Sequence, residues 1–315
     1  MTKLISIFSL KYLVMFKGIN AIEFNKKFFN NAACYDYLMV KKWSKGFSCS
    51  RCSHKEYKKG RTGYSRRCKR CGYEESVTAN TIFHGMKMPL LKAFHMIFRL
   101  TAKKKGMSTI ELGAEVGVQQ KTAWLLKRKI QVVMKENGKD KLTGDVDIDE
   151  MLVGGHSKGT RGRTLVQKSA VMVAVENLPD GRTGNINFRV LDNFEALTMK
   201  YAIKEITQPE ASLKSDQHQS YQSLSSELNN LKTVPSAEGK NFEQLHKQIM
   251  MFKNWLRGIH HKCSKQHLHA YLDEYKYRFN KRNMRRWLFN DTIRRMMHYW
   301  PHPYPVLKTL DAYST

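Results

Sequence analysis

Residues 142–155 read LTGDVDIDEMLVGG, and this stretch decides the fold that the sequence predicts. Val146 and Ile148 alternate with Asp147 and Asp149, which predicts a strand with one apolar face and one acidic face. Carboxylates that share a strand face repel each other, and a bound divalent cation would relieve that repulsion. The alternative is an exposed edge strand with an acidic outer face, which needs no ion.

The chain after this strand alternates between apolar runs and helical patterns. Apolar runs at 169–178 and 185–191, joined by the turn PDGRTG, predict a β-hairpin. The elements expected next are a helix at 194–207, a strand at 211–216, a helix at 217–228, a strand at 231–235 and a helix at 242–256. This order is that of RNase H-like nucleases and integrases. The sequence therefore predicts an α/β RNase H-like domain, a mixed sheet flanked by helices, in which Asp149 and Asp216 reach one centre from separate strands.

Such a centre suits chemistry on phosphodiesters. Attack by water cleaves a DNA strand, and attack by a 3′-hydroxyl transfers it. Divalent cations activate the nucleophile and stabilise the leaving oxygen, and hard cations prefer carboxylate ligands. We therefore expect Mg²⁺ or Mn²⁺ to bind at Asp149 and Asp216.

The composition points to a polyanionic partner. The 315 residues include 55 Lys+Arg against 27 Asp+Glu, a formal net charge of +28. Nucleic acid is the first expectation, and a membrane surface or a ribosome-associated role is the alternative. No apolar run reaches the length of a bilayer span, and residues 4–16, interrupted by Lys11, predict an amphipathic helix. We expect a cytoplasmic, nucleoid-associated protein without a membrane partner.

Four of the six cysteines form two C-x-x-C pairs, Cys49 with Cys52 and Cys68 with Cys71. Such pairs aim four thiolates at one tetrahedral ion, so they predict a structural Zn²⁺ in a zinc ribbon; redox dithiols are the alternative. The intervening residues are long enough for a β-hairpin, and Gly72 stands where a tight turn needs positive φ. Basic residues that suit phosphate contacts lie in and between the pairs: Lys55, Lys58, Lys59, Arg61, Arg66, Arg67, Lys69 and Arg70.

The next segment predicts a helix-turn-helix. An amphipathic helix at 89–100 precedes Ser108, which begins a capping-box pattern, and helices at 109–115 and 119–134 flank a turn at Gly117. We expect the second helix to present Gln119, Gln120, Lys121 and Thr122 to DNA base edges, and to place Trp124, Leu125 and Ile130 in the core. An ordinary helical hairpin is the alternative.

Residues 276–295 predict a basic helix studded with aromatic residues, suited either to tracking DNA or to packing, and an irregular tail follows at 299–305. The predicted domains are a helical lead-in at 1–42, a zinc ribbon at 43–84, a DNA-binding helix-turn-helix at 85–138, a catalytic domain at 139–290 and a tail at 291–315.

Over roughly residues 45–290 the chain resembles the ISXO-type insertion-sequence transposases, bacterial relatives of the Merlin elements. The resemblance rests on the two cysteine pairs, VTANTIFH at 77–84, VDIDEMLVGG at 146–155, Ser215-Asp216 with Tyr221, WLRG at 255–258 with His261, and the segment at 264–282. It implies a transposase that binds the terminal inverted repeats of its element and target DNA as a homo-oligomer.

The resemblance also implies residue roles. Asp149 would be the first catalytic aspartate, Asp216 the second, and Lys253 the lysine of the third motif. The third polar position, Asn or Glu in the family, falls on Met251, whose thioether is a poor Mg²⁺ ligand. Glu243 and His246 are the candidate replacements. The alternatives are a degenerate transposase or zinc-ribbon regulator that only binds DNA, and an RNase H-like nuclease with another substrate.

Overall fold

A computed structural model describes residues 16, 18, 20–136, 140–154, 168–260 and 263–312. The chain forms two compact units, residues 1–133 with 284–307, called here the N-terminal unit, and residues 134–283 with 308–315, the sheet unit. Their borders along the chain lie at 133/134, 283/284 and 307/308, whereas the predicted domains end at 138 and 290. Most of the amphipathic helix expected at 4–16, and Gly155 and His261 of the family pattern, lie outside the described residues.

The described elements follow one another along the chain in this order: α1 (Ala21–Lys27), α2 (Asn31–Lys42), β1 (Tyr57–Lys59), β2 (Ser65–Cys68), β3 (Glu74–Ser76), α3 (Leu90–Ala102), α4 (Thr109–Val116), α5 (Gln120–Met134), β4 (Asp145–Gly154), β5 (Lys168–Asn177), β6 (Thr183–Leu191), α6 (Ala196–Ile206), β7 (Ser212–Ser215), α7 (Gln219–Ser225), β8 (Leu231–Thr233), α8 (Glu243–Ile259), α9 (Leu268–Asn280), α10 (Leu288–His298) and α11 (Tyr304–Ala312). Short 3₁₀ turns occupy Ala237–Phe242, Lys265–His267 and Arg282–Trp287.

The sheet unit is built on a five-stranded mixed sheet in the order β6-β5-β4-β7-β8. The strands β6, β5 and β4 are antiparallel neighbours, whereas β4, β7 and β8 run parallel. Helices α6 and α7 connect the parallel strands, as a parallel crossover requires. This mixed sheet with flanking helices fits the RNase H-like fold that the sequence predicts.

Both faces of the sheet are covered. Val146 and Ile148 belong to a core layer shared with α6 and α7, whereas Met151 and Val153 pack in a second layer with α8 and α9. The strand β5 is apolar along most of its length because both of its faces are buried. The alternative of an exposed acidic edge strand is wrong, since β4 is the central strand and Asp147 is only 4% exposed.

The N-terminal unit is centred on packed aromatic rings. The ring of Phe289 in α10 contacts four other phenylalanine rings, and the centroids lie 5.6–6.4 Å apart. These rings belong to Phe24, Phe28, Phe94 and Phe98. The backbone of Ile82 donates a hydrogen bond to the carbonyl of Met296, which also ties α10 into this unit.

The single basic helix expected at 276–295 is wrong. The helix α9 ends at Asn280, and Met284 has non-helical φ and ψ of −110° and 24°. Tyr277 and Phe289 are buried, so the aromatic residues serve packing, which was the alternative to DNA tracking. The irregular tail that was predicted at 299–305 ends at Tyr304, because α11 begins there.

In the N-terminal unit, the segments predicted as a zinc ribbon and as a helix-turn-helix contain short strands and helices. The hairpin of β1 and β2 joins the cysteine pairs, and β3 adds a third antiparallel strand. The side chain of Ser108 accepts a hydrogen bond from the Glu111 N–H, and Gly117 with φ of 63° separates α4 from α5. Ile130 is buried, but Trp124 and Leu125 are only half-buried, in contrast to the core position expected for them. None of the described helices combines the length and the apolar character that crossing a membrane requires.

Candidate active site

The register of two parallel strands places Asp149 and Asp216 at corresponding positions, and the two carboxylates interact electrostatically. The last paired residues of β4 and β7 are Asp147 and Lys214, and each aspartate follows two residues later on its own segment. Because side chains alternate along a strand, residues two positions on return to the same face. Adjacent strands lie about 4.8 Å apart. The predicted convergence of these two aspartates therefore has a geometric basis.

The acidic neighbour Asp147 is used differently. Its Oδ1 lies 3.1 Å from the Nζ of Lys214, in an ion pair whose carboxylate is buried. Lys214 also donates to the backbone carbonyl of Asn241. Asp147 is thus neutralised by a side chain of the next strand, and only Asp149 of the two strand carboxylates faces the candidate site.

Electrostatic repulsion is built into the pair. Burial raises the pKa of Asp149 above its usual range, and the charge of Asp216 raises it further. The Glu150 N–H, which donates to Asp149 Oδ1 at 2.7 Å, and the imidazole of His246 act in the opposite direction. Two carboxylates held in this way form a centre that a cation would stabilise.

The helix α8 supplies the other side of the centre. The Nε2 atom of His246 lies 3.5 Å from Oδ2 of Asp149. Lys253 lies two turns further along the helix, and burial lowers its pKa together with the nearby charge of Arg257, against the pull of Asp149. A cavity of about 550 Å³ separates helix and strand, and its polar lining includes Asp149, Glu150, His246, Lys253, Asn254 and Arg257.

The three candidates for the third catalytic position lie in different places. Of these, His246 alone contacts Asp149 and lines its cavity. Met251 is 41% exposed and does not line this cavity. Glu243 lines a different cavity with Asp145, Asp147 and Lys214. The geometry therefore favours His246.

A buried tyrosine to which the sequence gives no role interacts electrostatically with the two aspartates. Tyr221 is fully buried in α7, and its pKa is raised by burial and by the carboxylates of Glu150, Asp149 and Asp216. The family resemblance marks Tyr221 as typical, but only the fold reveals that it faces all three carboxylates. Asn254 and Arg257 were missed as well; their spacing from His246 on one helix is the signal that would have found them.

The four paired cysteines form a cluster whose geometry suits a metal ion. Their ligand atoms all lie within 4.8 Å of one another, and within the described ranges no other group of three or more such ligands is as close. The sulfurs of Cys49 and Cys71, and those of Cys52 and Cys68, are 3.6 Å apart. Tetrahedral zinc with Zn–S of about 2.3 Å needs sulfurs about 3.8 Å apart, and a disulfide needs about 2.05 Å. The donor set therefore fits a Zn²⁺ ion and excludes disulfides.

The residues expected to read DNA lie at the start of α5. Gln119, Gln120 and Lys121 are exposed and Thr122 is half-buried. The side-chain amide of Gln120 donates to Thr109 of α4 at 3.0 Å. The last three of these four residues also line a cavity of about 1090 Å³ together with Trp124 and Tyr304.

Part of the chain is similar to a known family of protein domains. Residues 141–280 match the ISXO2-like transposase domain, a DDE-type domain. The matched range runs from just before β4 to the end of α9 and contains Asp149, Asp216 and α8. Among the curated proteins, none matches this chain.

Proposed function

We propose that this chain, whose residues 141–280 match the ISXO2-like transposase domain, is a DNA transposase that cuts and joins DNA strands at Asp149, Asp216 and His246. The observation that carries this assignment is the convergence of the three groups. The register of β4 and β7 supports the pairing of the aspartates, and the 3.5 Å contact between His246 and Asp149 supports the third position.

The donor set fits divalent cations. Two carboxylates supply the oxygen ligands that Mg²⁺ and Mn²⁺ prefer, and their mutual repulsion gives the centre a net affinity for positive charge. Asp149 and Asp216 would hold the ions, with His246 as a further donor. When bound, the ions activate the attacking water or 3′-hydroxyl and stabilise the leaving oxygen.

The basic side chains of α8 position the DNA strand. Lys253 and Arg257 line the cavity that Asp149 also lines, so a phosphodiester held there would lie between cationic and acidic groups. The ammonium and guanidinium donate hydrogen bonds to non-bridging phosphate oxygens, and these bonds strengthen as negative charge develops on the phosphate during attack.

The N-terminal unit recognises the ends of the element in this proposal. The cysteine cluster with Zn²⁺ fixes a ribbon that carries basic side chains for phosphate contacts. The exposed first turn of α5, with Gln119, Gln120 and Lys121, supplies contacts to base edges. Joining requires two ends together, so we propose that the chain acts as a homo-oligomer.

The catalytic assignment is tested by cleavage of DNA that carries the inverted repeats flanking the gene, in the presence of Mg²⁺ or Mn²⁺. Asp149→Asn, Asp216→Asn and His246→Ala should each reduce the cleavage rate at least about 100-fold, because each removes a ligand or its charge. Met251→Leu is the matched control on α8 and should cleave like the parent protein.

Each contrary outcome has a definite meaning. Binding of the ends by the parent protein without cleavage would favour a degenerate, DNA-binding transposase. If Met251→Leu loses cleavage and His246→Ala cleaves like the parent protein, the third catalytic position belongs to Met251.

A further inference from the structure

The cavity beside Asp149 has a second, apolar wall that strand cleavage alone does not explain. Besides its polar residues, the cavity is lined by Met151, Leu152, Phe194, Ile249 and Met250. Met250 is 56% exposed, so part of this wall is open to solvent. An apolar wall next to the proposed phosphodiester site suits an apolar group of the bound substrate, because covering apolar surface is favourable in water.

The wall has a structural origin in the free edge of β4. The pairing of β4 with β7 ends at Asp147, whereas β4 itself continues to Gly154. Met151 and Leu152 therefore lie beyond the end of β7. Phe194 approaches from the segment between β6 and α6, and Ile249 and Met250 approach from α8.

Double-stranded DNA offers little apolar surface at its backbone, which presents charged phosphates and sugars. The flat apolar surface of DNA is the face of a base, and in a duplex that face is covered by stacking. A base reaches the wall of an enzyme only when it leaves the stack, as enzymes that act on bases require of their substrates. Aromatic side chains then replace the lost stacking.

We propose that this cavity binds one unpaired nucleobase next to the phosphodiester that is cut. The base lies against Phe194 and Met250, while Lys253 and Arg257 hold the adjoining phosphate. The cavity volume of about 550 Å³ has room for one nucleotide, since pockets for small molecules span about 300–1,000 Å³. The proposal rests on the assignment of Asp149 and Asp216 as the cleavage centre.

The base itself is followed with 2-aminopurine, a fluorescent adenine analogue that is quenched inside a stack. Duplexes carrying the element end, each with the analogue at one position near the terminal phosphodiester, are mixed with the parent protein in buffer without Mg²⁺. One position should brighten several-fold on binding, and its neighbours should not. No chelator is added, so that the cysteine cluster keeps its zinc.

The role of the cavity in binding a base is tested by substituting two neighbouring methionines of α8, of which only the first lines the cavity. Met250→Trp places an indole at the cavity wall, whereas Met251→Trp places it on an exposed site that does not line the cavity. Met250→Trp should cut the intact end about tenfold more slowly, because it displaces the stacked base. It should cut an end with an abasic site at the brightening position as fast as the parent does. Met251→Trp should match the parent on both substrates.

Two results overturn the inference while the proposed function stands: cleavage without any brightening position, or an equal loss on intact and abasic ends in Met250→Trp. Absence of Mg²⁺-dependent cleavage by the parent protein overturns the proposed function, and the inference falls with it.

Discussion

At the scale of single residues, the fold holds Asp149 in surroundings that disfavour its charged form, and this lowers the stability of the folded state. Burial and the charge of Asp216 raise its pKa, so the folded state binds a proton more readily than the unfolded chain does. The stability that goes with this proton is fully present below the unfolded carboxyl pKa of about 3.9 and is lost as the pH rises through the folded value. At neutral pH and without divalent cations, the parent protein therefore carries an uncompensated repulsion.

Asp149→Asn should remove that repulsion while abolishing cleavage. We expect the variant to be more stable at pH 7 by about 1 kcal/mol, or about 2–4 °C in melting temperature. The difference should shrink as the pH falls through the raised pKa of folded Asp149, and it should vanish below about 3.9, where the carboxyl is protonated in both states. Thermal unfolding across this pH range, without divalent cations, measures it.

The matched control is Asp145→Asn, which changes an exposed carboxylate at the start of the same strand. It should leave the melting temperature nearly unchanged at every pH. A less stable Asp149→Asn at pH 7 would show that attraction to His246 outweighs burial and the repulsion from Asp216.

The alternation of β4 was enough to predict the strand that carries Asp149, and the short strand that precedes Asp216 was also predictable; their catalytic roles stay predictions. The third position was not predictable in the same way. Met251 and Lys253 are two residues apart, about 200° around a helix, so they point in nearly opposite directions. His246 and Lys253 are seven apart, which is within about 20° of one face. The family pattern fixes residue order, but the helical phase decides which side chains meet.

At the scale of elements, the two cysteine pairs end in the same backbone conformation with different residues. Ser53 has φ of 59° and Gly72 has φ of 71°, each directly after the second cysteine of its pair. Their N–H groups donate to the carbonyls of Cys49 and Cys68 respectively. Left-handed φ is unfavourable for a residue with a Cβ atom by about 1–2 kcal/mol, so the serine turn is the strained one.

Ser53→Gly should stabilise the zinc-binding segment, by up to about 1 kcal/mol, and Gly72→Ala should destabilise it by about 1–2 kcal/mol. A Cβ atom at Gly72 would come no closer than 3.8 Å to Arg67, so the loss is conformational and not steric. Both effects are measured as the amount of zinc that each variant retains in the presence of a competing chelator. Gly63→Ala is the control from the same hairpin, because its Cβ atom would meet nothing within 4 Å. Equal zinc retention in Gly72→Ala and Gly63→Ala would contradict the account.

Element prediction succeeded where periodicity and turn residues agreed, as in the hairpin of β5 and β6 and in α4 with its serine cap. It failed at residues 276–295, where the basic charge and the aromatic residues predicted one continuous helix. The chain has no Pro or Gly there to mark the break at Met284. Packing decides the break, because Tyr277 lies in the sheet unit and Phe289 in the aromatic cluster of the N-terminal unit.

At the scale of the whole molecule, the N-terminal unit depends on a helix from the other end of the sequence. Phe289 of α10 is 2% exposed and contacts rings from α1 and α3. Phe289→Ala should therefore destabilise this unit by about 3–5 kcal/mol. Phe29→Ala, which changes a phenylalanine that is 71% exposed in the same unit, should cost less than about 0.5 kcal/mol. Hydrogen exchange of the α3 amides compares the two, and equal protection would refute the dependence.

Composition and motifs predicted a linear series of domains, and they gave no sign that the chain returns to the first unit after leaving the second. That return depends on contacts between residues more than 200 apart in sequence, such as the hydrogen bond from Ile82 to Met296, which local patterns do not record. The predicted border at 290 lies within α10 for this reason.

The return of α10 sets an order of events during synthesis. When the ribosome has translated as far as Asn283, every strand of the central sheet is already available, whereas the aromatic cluster still lacks Phe289. A nascent chain therefore acquires the parts of the proposed catalytic centre before it completes the unit proposed to recognise DNA. Under the proposed function, recognition of DNA ends waits until α10 has left the exit tunnel, so an unfinished polypeptide would hold the catalytic carboxylates without a completed recognition unit.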